Sequence, residues 1–252
     1  MNIGKYPCKG AVRRLFAASL WVAACILCGT NTWGQSTSQS IEQKPTTQNA
    51  LSGPSWQLGG LVAGGFVPFY DIHSPGYHYA LQLDFVNAGF DAGRMLTRPC
   101  GPGILRGNIE AVLEVMPFWL AYYPAQVRHA YYQGSTTPVL VPWGPYSRFG
   151  ASITPVLFRW NFRERDSSRA FPWAQLGGGL LWTNHKFPLL GGSTSVINFT
   201  PQVGIGESIF IKRRRSLDFA IKAVHISNAG LGDNNPGVNA TLQFSMGYSW
   251  WR

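Results

Sequence analysis

One stretch of the chain has residue types that could do covalent chemistry: Val224-His225-Ile226-Ser227-Asn228-Ala229-Gly230-Leu231. His225 and Ser227 are two apart, so on a strand their side chains leave the same face. A base beside a hydroxyl is the arrangement that turns serine into a nucleophile. Alone, a His-x-Ser pair is weak and reads as two polar residues at a strand end. The row that leads to it gives it interest. Leu217, Phe219, Ile221 and Ala223 share its parity, whereas Asp218 and Lys222 occupy the other. The pair therefore continues an apolar row, where polar side chains need a reason. Ala229 and Gly230 follow at once, and a loop starting there could turn backbone N–H groups toward Ser227 as oxyanion donors, with Asn228 shaping the turn.

Other suggestive residues support less. Glu110, Glu114 and Asp84 could resemble paired acids, but an interior salt bridge to Arg159, Arg163 or Lys222 is the simpler expectation. His73, His78, His129 and His185 show no metal-ligand spacing, and neither a metal nor a cofactor is implied. Gly177-Gly178-Gly179 and Gly204-Ile205-Gly206 have no helix after them to make a phosphate loop, and read as relief of crowding in bent strands.

The elements that must position these residues are strands. Lys5, Lys9, Arg13 and Arg14 precede an apolar run from Leu15 to Cys28, and Thr32-Trp33-Gly34 offers a cleavage site. Residues 1–34 thus read as a signal peptide, with a mature start near Gln35. Val22-Ala23-Ala24-Cys25 offers a lipoprotein alternative, which Ile26 and Leu27 oppose by continuing the apolar run. Residues 35–54 are polar and read as a flexible leader. Three of the four cysteines, Cys8, Cys25 and Cys28, fall in the signal, so Cys100 alone remains and no internal disulfide can form. The formal charge of +10 falls to +6 when the four positive residues of the signal are removed. Export argues against nucleic acid as its partner, and the Lys212-Arg213-Arg214-Arg215 cluster reads as a solvated turn or a contact for anionic lipid headgroups.

Residues 55–252 divide into eight strand-like segments, near 56–70, 77–96, 107–123, 148–163, 170–184, 195–211, 216–228 and 237–251. In the second, Tyr77, Tyr79, Leu81, Leu83 and Phe85 alternate with His78, Gln82 and Asp84. In the third, Ile109, Ala111, Leu113 and Val115 alternate with Glu110 and Glu114. In the last, Val238, Ala240, Leu242, Phe244, Met246, Tyr248 and Trp250 alternate with Asn239, Thr241, Gln243, Ser245 and Ser249. The chain also contains 29 Gly, 10 Trp, 10 Tyr and 15 Phe. Period-two patterning with this aromatic load defines an all-β chain: an eight-stranded antiparallel outer-membrane β-barrel, closed because lipid leaves no partner for an exposed edge. A soluble lipocalin-type barrel is the alternative with its faces exchanged. With both termini periplasmic, the long 124–147 connection faces outward and the Arg163–Arg169 and Lys212–Arg215 turns face inward.

His225-Ile226-Ser227-Asn228-Ala229-Gly230-Leu231, followed by Asn235-Pro236-Gly237-Val238-Asn239, resembles the PagL-type lipid A 3-O-deacylases. The resemblance implies an outer-membrane esterase that removes the 3-O-linked acyl chain of lipid A, its site on the outer wall facing lipopolysaccharide. It makes Ser227 the nucleophile and His225 its base. It also exposes a departure: the acid of the triad, a Glu in the family, aligns with Asn239. Asn can orient an imidazole by hydrogen bonding but brings no full charge, and Asp233 is another candidate acid in the same loop. A non-catalytic barrel with a structural, adhesive or lipid-binding role is the competing reading, and a homodimer is compatible with either.

Overall fold

The computed structural model describes residues 56–67, 71–74, 77–80, 82–130, 137, 139–163, 169–188, 194–232 and 238–252; for 71–74, 77–80, 128–130 and 238–240 it describes the backbone only. The signal, the leader and Asp233 lie outside the described residues.

Eight long antiparallel strands close into a barrel: β1 (Trp56–Phe66), β4 (Asp84–Met95), β5 (Gly107–Tyr123), β8 (Tyr146–Phe162), β9 (Ala170–Phe187), β11 (Gln202–Lys212), β12 (Arg215–Ile226) and β13 (Val238–Trp251). β13 pairs back onto β1, and β8 onto β9, so every strand has two neighbours. β10 (Ser195–Phe199) extends the line of β11 along β9. Four short strands form a separate sheet at the end of the long connections: β2 (Asp71–Ser74), β3 (Tyr77–Ala80), β6 (Gln126–Ala130) and β7 (Val139–Trp143).

Three sequence expectations need correction. The second segment is two strands, β3 and β4, in different sheets. Within it, Leu83 and Phe85 are buried inside the barrel, and Asp84 takes the outer face with its cross-strand partner Tyr122. The 124–147 connection, expected to be long, contains β6 and β7. The sixth segment breaks at Thr200-Pro201, where proline cannot donate to the ladder.

The interior is layered along the barrel axis. At the end of the long connections lies an apolar cluster of Leu83, Phe85, Trp119, Tyr123, Leu181, Phe187, Val224 and Ile226. Trp119 packs between Phe85 and Phe187 at ring separations of 5.5 and 5.3 Å. A smaller cluster of Met95, Phe171, Phe210 and Trp251 fills the end of the short turns. Between them lies a polar layer. Lys222 donates to both oxygens of Glu114 at 2.8 and 2.9 Å, and Arg159 pairs with Glu110 at 3.5 Å and Asp91 at 3.8 Å. These interior salt bridges are the ones expected of Glu110 and Glu114. Gly206 faces inward, where any side chain would collide with the Trp173 ring, as expected of glycine in a narrow barrel.

The outer face is apolar over a defined height. On β4 the outward row is Asp84, Val86, Ala88, Phe90, Ala92 and Arg94, so apolar residues run between two charged ends. Ten steps at ~3.3 Å each, tilted by roughly 40°, give a band about 25 Å tall, the height of an outer-membrane barrel wall. β12 has the same span, from Arg215 through Leu217, Phe219, Ile221 and Ala223 to His225.

Candidate functional site

His225 and Ser227 lie at the outer edge of that band. The residues between and after them, Ile226 and Asn228, are 1% and 2% exposed inside the barrel, whereas His225 and Ser227 are half-buried on the opposite face. The facing read from the sequence is therefore the facing observed: Lys222 points inward with Val224 and Ile226, and the pair follows Ala223 outward. By the count on β12, His225 stands ten steps from Arg215, level with the end of the apolar wall.

The backbone around the pair is fixed on the β10–β11 side. His225 N–H donates to the Pro201 carbonyl at 2.9 Å. Ser227 N–H donates to the Phe199 carbonyl at 3.1 Å, and Phe199 N–H returns a bond to Ser227 at 2.6 Å. Exposed Phe199 and Val203 flank the pair, so the apolar wall continues beside it. Phe199 and Pro201 were not singled out in the sequence as neighbours of the site. Pro201 was the available signal, since a proline inside a supposed strand marks a break.

Beyond Ser227 the chain turns sharply. Leu231 N–H donates to the Asn228 carbonyl at 2.9 Å, with φ of +49° at Ala229 and +84° at Gly230. Both central residues are left-handed, as in a type I′ turn. Buried Asn228 holds it by accepting the Gly230 N–H on Oδ1 at 3.0 Å. That bond occupies one of the two backbone donors expected from the sequence and leaves Ala229 N–H as the other.

Asn239 is brought to the same place by a register shift. Val224 pairs with Thr241, but Ile226 pairs with Val238, so β12 takes two steps where β13 takes three. Asn239 and Ala240 together oppose His225. This bulge interrupts the strict alternation expected of the last strand between Val238 and Thr241. Bulges of this kind locally re-aim a strand and recur beside active sites. Among residues whose side chains are described, no group of three His, Cys, Asp or Glu could hold a metal ion.

A closed eight-stranded barrel with a lipid-height apolar wall belongs to the outer-membrane class. The family model for lipid A 3-O-deacylase (PagL) matches residues 110–249, over half of the chain and including the pair. The protein belongs to this family and resides in the outer membrane. Among solved structures it is similar to the outer membrane enzyme PagL, at 15% identity and a TM-score of 0.43, covering 76% of this chain and 98% of that one. It is also similar to Ail, the attachment invasion locus protein of Yersinia pestis solved with a heparin analogue, at 11% identity and a TM-score of 0.36, covering 79% and 99%. None of the curated proteins matches the sequence.

Proposed function

We propose that this protein hydrolyses the 3-O-linked acyl ester of lipid A, with Ser227 as nucleophile and His225 as its base. His225 Nε2 takes the Ser227 proton as Oγ forms a bond to the ester carbonyl carbon. Collapse breaks the bond to the sugar oxygen, which takes the proton back from the imidazolium. Water then attacks the acyl-enzyme with the same base, and a 3-hydroxy fatty acid leaves. In this reading Ala229 N–H, in the turn that follows Ser227, donates to the oxyanion. Asn239, opposite His225 in the ladder, orients the imidazole in place of a carboxylate.

The observation that carries this reading is position. A His and a Ser share the outward face of one strand at the upper edge of an apolar wall, in a chain of the lipid A 3-O-deacylase family. Lipid A presents its acyl esters at that level, so the chain can stay in the bilayer while the carbonyl reaches Ser227. The test is mass spectrometry of lipid A from cells with and without the protein. Loss of one 3-hydroxyacyl chain is expected, and Ser227→Ala and His225→Ala should each abolish it while the barrel still assembles. Unchanged lipid A with wild-type protein in the membrane would refute the assignment.

The resemblance also favours a second reading, a barrel of this family without catalysis: it aligns the acid of the family's triad with Asn239. Asn239→Glu separates the two. It should raise an existing activity by stabilising the imidazolium. Activity that appears only in that variant would mark the natural protein as non-catalytic.

A further inference from the structure

The end of the barrel opposite the candidate site has an unusual wall. One rung of the outer face runs Lys212–Arg215–Trp250–Leu58 across β11, β12, β13 and β1. On the rung below, Trp56 lies between Arg252, with which it exchanges backbone hydrogen bonds of 2.8 Å each way, and Arg94 of β4. The Arg94 guanidinium stands over the Trp56 ring at 5.0 Å. Lys212, Arg215, Arg94 and both tryptophans are exposed. Among the described outward residues of β11, β12, β13, β1 and β4 the carboxylates are Glu207, level with Phe219 inside the apolar band, and Asp84, at the far end of the wall. Cations and tryptophans thus concentrate where the apolar band ends, and among the described outward residues of these strands no acid shares their two rungs.

We infer that Arg94 and Arg215, with Trp56 and Trp250 between them, form a binding site for the phosphodiester of an anionic glycerophospholipid in the inner leaflet. A guanidinium offers paired donors to phosphate oxygens, and is more easily desolvated than an ammonium. Tryptophan sits at the boundary of headgroup and acyl chain, its ring in the apolar layer and its N–H toward water. The site lies about 25 Å from His225 along the wall, so it takes a different lipid from the one proposed as substrate. It would anchor the barrel's tilt and depth, and with them the height at which the catalytic pair meets its ester.

The test uses the full barrel in vesicles of phosphatidylcholine and phosphatidylglycerol, with brominated acyl chains on one lipid at a time. Bromine quenches tryptophan on contact. At equal mole fractions, brominated phosphatidylglycerol should quench more than brominated phosphatidylcholine. The excess should vanish in W56F/W250F and shrink at high salt. Each of Arg94→Gln and Arg215→Gln should weaken the lipid preference about fivefold. Migration on unboiled gels checks that the variants are folded. Equal quenching by the two lipids in the wild type would overturn the inference, as would an excess that survives R94Q/R215Q. So would displacement of phosphatidylglycerol by lipopolysaccharide, because the phosphate bound would then belong to the other leaflet.

Discussion

The turn after Ser227 depends on one buried side chain, because Asn228 accepts the Gly230 N–H on its Oδ1 at 3.0 Å. Ala229 pays for that turn with a left-handed φ of +49°. For a residue with a Cβ this costs about 1–2 kcal/mol. Ala229→Gly should therefore stabilise the barrel by about 0.5–1 kcal/mol once the entropy of glycine is set against the relief, read by reversible urea unfolding in vesicles. The interior has the opposite sensitivity. Lys222→Met leaves Glu114 buried without its cation, and should cost about 3–5 kcal/mol. Adding Glu114→Gln should recover much of that loss; if the double variant were as unstable as the single one, the pair would not be the source of the cost. Alternation put His225 and Ser227 on one outward face and their roles came from the family resemblance; Asn228 was expected to shape the turn, but the bond by which it does so was not visible in the sequence.

Strands are legible when one face differs chemically from the other, and they mislead where it does not. The third segment was read as 107–123, and β5 is Gly107–Tyr123. Up to Met116 its glutamates face the polar layer while Ile109, Ala111, Leu113 and Val115 face outward, so parity is plain there; a bulge at Pro117-Phe118 then turns Trp119, Ala121 and Tyr123 inward. Leu83 and Phe85 read equally well as lipid-facing, but they fill the apolar layer inside. Alternation does not distinguish two apolar surroundings. Bulges are hidden for a related reason: one extra residue reverses every side chain beyond it without altering composition. The bulge in β13 brings Asn239 and Ala240 opposite His225. Deleting Ala240 would equalise the steps between Val238 and Thr241. The barrel should still assemble, because the ladder becomes more regular, but lipid A deacylation should fall to background. Ile221→Arg tests the wall of β12 instead, and should cost about 2–4 kcal/mol if Ile221 faces mid-membrane.

At the scale of the molecule, the two faces of the wall divide the work, and the site is where they meet. The outward residues His225 and Ser227 alternate with Val224 and Ile226, which are buried in the aromatic cluster around Trp119 and Phe187. The cluster fills the barrel at that end and packs the strand that presents His225 and Ser227. The cluster of Met95, Phe171, Phe210 and Trp251 fills the other end, and shares no member with the one beside the pair. Two substitutions of similar cost should then differ in their effect on chemistry. Trp119→Ala and Phe171→Ala should each destabilise by about 3–5 kcal/mol, the ordinary cost of truncating a buried aromatic ring. Trp119→Ala should also lower kcat, because Ile226 loses its packing and the His225–Ser227 spacing loosens. Phe171→Ala should leave kcat unchanged on the barrel that remains folded. Rates are read on lipopolysaccharide micelles and normalised to the heat-modifiable fraction on gels. If both variants lowered kcat equally, the pair would be sensitive to global softening rather than to its local packing. If neither did, the backbone bonds from Pro201 and Phe199 would suffice to hold the site.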